Sequence, residues 1–150
     1  MQPHNVPRSP LGGASKFTVP PRPPDLLRRP RLIDFLHENV HRKLILISAP
    51  AGYGKSSVAI DLAHDTDYTV AWCRLDDSDC DLAAFTADLV TSLRRPFPAL
   101  ESLAPQLAAQ PTAKPAEVAA ALAREIENGI DRYFVLVLDD FHLVQDAEAI

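Results

Sequence analysis

The residues Ala49-Pro-Ala-Gly-Tyr-Gly54-Lys55-Ser56 are spaced to hold a triphosphate. They follow the pattern G-x-x-x-x-G-K-[ST], with alanine in the first place. A triphosphate concentrates negative charge and needs many donors at short range. Successive backbone N–H groups from Gly52 to Ser56 can turn inward as an anion nest. A following helix adds the positive end of its dipole. Gly52 and Gly54 keep side chains clear and allow dihedrals closed to other residues. Lys55 is placed to bridge the β- and γ-phosphates, and Ser56 to offer its hydroxyl to Mg²⁺. The expected cofactor-binding set is Ala49, Gly52, Tyr53, Gly54, Lys55, Ser56 and Ser57. The expected ligand is a purine nucleoside triphosphate, ATP with Mg²⁺.

A second acidic pair completes the chemistry. The run Val135-Leu-Val-Leu-Asp139-Asp140 ends an apolar strand in two carboxylates. Ligands of open α/β sheets bind at such carboxyl ends. Asp139 is expected to hold the metal through water. Asp140 is expected to orient or deprotonate an attacking water, with Lys55 as the other catalytic group.

Positioning these groups requires strand, tight loop and helix in succession. Lys43–Ala49 reads KLILISA, a continuous apolar run that predicts a central parallel strand buried on both faces. Lys55–His64 is helical, and so is Arg31–His41, where Pro30 suits a first turn. Tyr68–Leu75 (YTVAWCRL) and Tyr133–Leu138 (YFVLVL) predict two further buried strands. Leu82–Arg95 is a helix with Asp81 as its N-cap. Residues 96–115, with five prolines, form an irregular connection. Pro115–Asn128 is a helix with Gly129 just past its end. Helices alternating with strands give an α/β class with a parallel sheet.

Bulk composition narrows the remaining classes. The chain has 150 residues, 47% hydrophobic and 23% charged, with net charge −5. That balance gives no global bias toward nucleic acid. Cys73 and Cys80 form no CxxC pair, so a four-cysteine zinc site is excluded. They read as reduced thiols. His37 and His41 lack a third ligand. The acidic run Asp76–Asp81 lacks the glycine-and-glutamate pattern of a calcium loop and reads as a solvated helix cap. No apolar run is long enough to span a bilayer, so a cytoplasmic protein with no membrane partner is expected. Seven of the fourteen prolines fall in residues 1–24, which predicts a disordered or extended arm before a domain over 25–150.

These pieces, taken together, resemble the ATPase domain of the signal-transduction ATPases with numerous domains. The likeness is strongest to LuxR-type transcriptional regulators of the maltose-regulon-activator kind. It rests on PPRPPDLLRRPRL at 20–32, LILISAPAGYGKSS at 44–57, VAWCRLDDSDCDLAAF at 70–85 and VLVLDDFHLV at 135–144. Alanine in the first loop position is typical of that family. Arg74 and Cys80 depart from its pattern. The resemblance implies an AAA-like P-loop NTPase fold, of which this chain would be a truncated N-terminal portion. It also implies self-association in a full-length parent and DNA contact through a region outside the chain. Arg29 and Arg31, by the same resemblance, would lie near the base and sugar.

The expected function is an ATP-binding, slowly hydrolysing switch module of such a regulator. Three alternatives stand beside it. One is a P-loop small-molecule kinase, although residues 96–115 do not resemble an arginine-rich lid. Another is the same ATPase domain joined to a kinase or cyclase output. The last is an inactive remnant.

Overall fold

The computed structural model of the chain describes residues 15–144. Expectations placed on 1–14 and 145–150 lie outside the described residues. Helix α1 spans Pro30–Asn39, with proline in its first turn as expected. It buries Ile33 and Leu36 against Val58 and Leu62 of α2, Lys55–Asp65. Strand β1 is Thr69–Arg74. Helix α3, Leu82–Arg94, starts where Asp81 accepts hydrogen bonds from the N–H groups of Ala83 and Ala84. The stretch 96–115 is not wholly irregular, because Ala104–Ala108 forms a one-turn helix, α4. Helix α5, Pro115–Gly129, runs one residue further than expected and takes in Gly129. A Cβ there would stand 2.9 Å from Leu100 Cδ1, so the glycine admits a close approach. Strand β2 is Phe134–Asp139.

Strands β1 and β2 pair in parallel, from Thr69 opposite Phe134 to Arg74 opposite Asp139. Parallel neighbours need a long crossover, which α3, α4 and α5 supply. The main core lies under that crossover, where Val90, Leu93, Leu100, Val118 and Leu122 are buried with Ala71 of β1. On the α2 side, Trp72 is 1% exposed and packs with Ala59, Ile60 and Val137.

Two expectations about the sheet are corrected. Among the described residues the sheet has two strands, and 43–49 is not one of them. Leu44 is 82% and Leu46 is 80% exposed, whereas Ile45 packs onto the α1–α2 cluster. An apolar run is buried on both faces only when neighbours cover both, and here one side is covered. Strand β2 is half-buried along its length rather than buried, since β1 is the one strand paired with it.

The acidic run 76–81 is also not simply solvated. It forms a 3₁₀ turn, Asp77–Cys80, in which Asp76 and Asp79 cap each other. Asp79 is fully buried. The ammonium of Lys16 meets Asp79 at 2.6 Å, Asp76 at 3.2 Å and Asp88 at 2.5 Å. Burial opposes the Lys16 charge, but hydrogen bonds to the three carboxylates outweigh it and hold its pKa above the ordinary lysine range. The Lys16 carbonyl accepts from the Arg74 N–H at 2.9 Å, which straps the leading segment to β1.

Candidate functional site

The loop between residue 49 and α2 has the geometry its glycines allow. Gly52 has φ 83° and Gly54 φ 79°, both in the left-handed region. A Cβ on Gly52 would meet nothing within 4 Å. The dihedral, not crowding, therefore selects glycine there. Gly54 is the N-cap of α2, so the helix's unpaired N–H groups open onto the loop. Lys55 Nζ donates to the carbonyls of Ala49 at 2.8 Å and Pro50 at 3.3 Å. Its ammonium thus lies folded over the loop's own backbone.

Ser56, in the first turn of α2, reaches the sheet. Its Oγ donates to Asp139 Oδ1 at 2.7 Å, across 83 residues of sequence. Asp139 ends β2. Burial pushes its carboxyl above the usual range, with the charge of Asp140 adding to that, while the Ser56 bond and the Arg74 charge act against it. Asp140 takes φ 59°, a conformation that aspartate tolerates better than most non-glycine residues. Its N–H donates to Asp139 Oδ1 at 3.1 Å. Its side chain faces a different partner: Arg74 Nε donates to Asp140 Oδ2 at 3.3 Å. The two acids thus face opposite ways, one to the loop serine and one to β1.

The structure therefore brings together Ser56, Asp139 and Asp140, with Lys55 one residue away on α2. Arg29 joins this group. It lines a small cavity with Gly52, Gly54 and Ser57, and its guanidinium lies 3.7 Å from where a Gly54 Cβ would stand. Arg31 is exposed and lines neither of the cavities beside the loop. Tyr53 is 63% exposed. It borders a second cavity of about 290 Å³, walled by Leu32, Phe35, Ile45 and Leu46 and open to Lys55.

Comparison with known proteins finds relatives of the sequence. The chain is 35% identical to the serine/threonine-protein kinase PknK of Mycobacterium tuberculosis, over 96% of this chain and 14% of that protein. It is 33% identical to the HTH-type transcriptional regulator MalT of Vibrio parahaemolyticus, over 89% of this chain and 15% of that protein. MalT of Vibrio cholerae is 32% identical over 88% of this chain. The chain is thus similar to a part of MalT-type regulators and of PknK. It spans only 14–15% of the length of these relatives. No protein-family model and no solved structure matches it.

Sequence reasoning missed Arg74 as a neighbour of the site. A signal was present. Two apolar strands each end in a charged residue, at Arg74 and at Asp139, and parallel pairing sets those ends side by side. The His37–His41 pair forms no metal cluster among the described residues. His37 instead bonds Asp65 of α2 at 3.2 Å. No helix among the described residues is long and apolar enough to cross a membrane.

Proposed function

We propose that this chain is the nucleotide-gripping part of a P-loop NTPase switch module. Its ligand is ATP, and its setting is a transcriptional regulator of the MalT type. The observation that carries the reading is the Ser56–Asp139 contact at 2.7 Å, beside a loop with two left-handed glycines. A serine hydroxyl and a carboxylate are hard oxygen ligands, and their spacing fits one small divalent cation such as Mg²⁺, with waters completing its shell. Asp139 is half-buried and its side chain accepts from Ser56 rather than from a cation among the described residues, which favours a cation arriving there. When bound, the ion would neutralise charge on the β- and γ-phosphates.

The chain's own groups supply the rest. Backbone N–H groups of Gly52 to Ser56 and the α2 N-terminus receive phosphate oxygens. Lys55 leaves the Ala49 and Pro50 carbonyls and moves onto the phosphates as a point charge. The apolar cavity beside Tyr53 accepts the base, and Arg29 faces the sugar and phosphates. Asp140 orients the attacking water in slow hydrolysis. The site residues proposed are those expected from the sequence, with Arg31 the one that the geometry does not support.

A second output is favoured by a specific observation. Relatives bearing this segment include both a protein named as a kinase and proteins named as transcriptional regulators. That supports a switch module that serves different outputs. Lys55→Ala decides the central reading. Calorimetry with Mg-ATP should show binding by the wild type and a loss of at least about tenfold in the variant, equivalent to about 1.4 kcal/mol. Equal affinity would remove the loop from the site.

A further inference from the structure

We propose that Arg74 is a positioning residue that latches Asp140 and holds hydrolysis slow. The inference rests on the nucleotide reading above and deepens it. Adjacent acids on the same strand end have taken different partners. Asp139 accepts from Ser56 on the loop side. Asp140 accepts from Arg74, the last residue of the neighbouring strand. The left-handed φ of Asp140 turns the chain so that this second contact forms. A carboxylate must present an oxygen to the attacking water to align it. Here Oδ2 is engaged by Arg74 Nε.

The pairing is built to be exchanged. Arg74 is half exposed and Asp140 a quarter exposed. Ion pairs of that kind contribute little to stability and are screened by salt. Arg74 is therefore poorly explained as a structural brace. A weak, solvent-reached restraint on one catalytic carboxylate instead sets a rate. No other cation contacts Asp140 among the described residues.

The test compares wild type, Arg74→Ser and Arg74→Lys in steady-state Mg-ATP hydrolysis, with binding followed by calorimetry. Arg74→Ser should raise kcat about two- to fivefold, the range that a weak exposed pair can supply. KM and ATP affinity should stay unchanged. Arg74→Lys should remain near wild type, because a cation still faces Asp140. Added NaCl should raise wild-type kcat by loosening the pair and leave Arg74→Ser flat. An unchanged or lower kcat in Arg74→Ser, while ATP still binds, overturns the latch alone. A change confined to KM overturns it as well. Absence of ATP binding in both wild type and variant overturns the nucleotide reading, and the latch with it.

Discussion

The two halves of the molecule are built on different terms. Around β1, β2 and the α3–α5 crossover, large side chains such as Trp72, Leu93 and Leu100 are sealed from solvent. Around the loop, Leu44, Leu46, Phe35 and Tyr53 remain exposed and the backbone takes positive φ. The first half is held by packing and the second by dihedrals and polar contacts. Stability should therefore follow the first half and ligand binding the second.

The sharpest way to break this contrast is Trp72→Ala. It should cost about 3–5 kcal/mol in urea unfolding, as for other buried tryptophans. A loss below about 1 kcal/mol would mean that the sheet half is not the stabilising one. Lys16→Met comes next. It strands the buried Asp79 charge and should cost up to about 3 kcal/mol, the low end for a broken buried pair, because Lys16 keeps 21% of its side chain exposed.

The same variant carries a pH signature. A raised lysine pKa contributes stability that is complete below about pH 10.4 and is lost as pH rises through the folded value. Lys16→Met should flatten that loss. A separate decline, starting near pH 8.5, should persist in the variant. It belongs to Cys73, whose thiol burial, aided by the Asp79 charge, pushes up to about 12.

Gly54→Ala probes the other half. Its φ of 79° should cost about 1–2 kcal/mol in stability and lower ATP affinity at the same time. Leu46→Ser should be nearly silent in unfolding, within about 0.5 kcal/mol. A large effect from Leu46→Ser would show that the exposed run is covered in solution.

Features legible in the sequence are those set locally. Pro30, Asp81 and Pro115 mark helix starts because caps and proline act within one turn. Gly52 and Gly54 mark the loop because only glycine takes those dihedrals freely. The fate of 43–49 was not legible, since its burial depends on which segments come to lie beside it. Lys16–Asp79 joins residues 63 apart, which no spacing rule reports, and Arg74–Asp140, 66 apart, is legible only once the two strand ends are set side by side. Asp79 shows the same limit, since an acidic run predicts solvent until its buried partner is known.

The strap at Lys16 has a practical consequence for how the protein can be handled. Its carbonyl occupies an N–H of β1 that would otherwise lie open. Open strand edges recruit other chains. A protein shortened past Lys16 would lose both that cover and the charge that neutralises Asp79. It should clump at concentrations where a protein that keeps Lys16 stays dispersed.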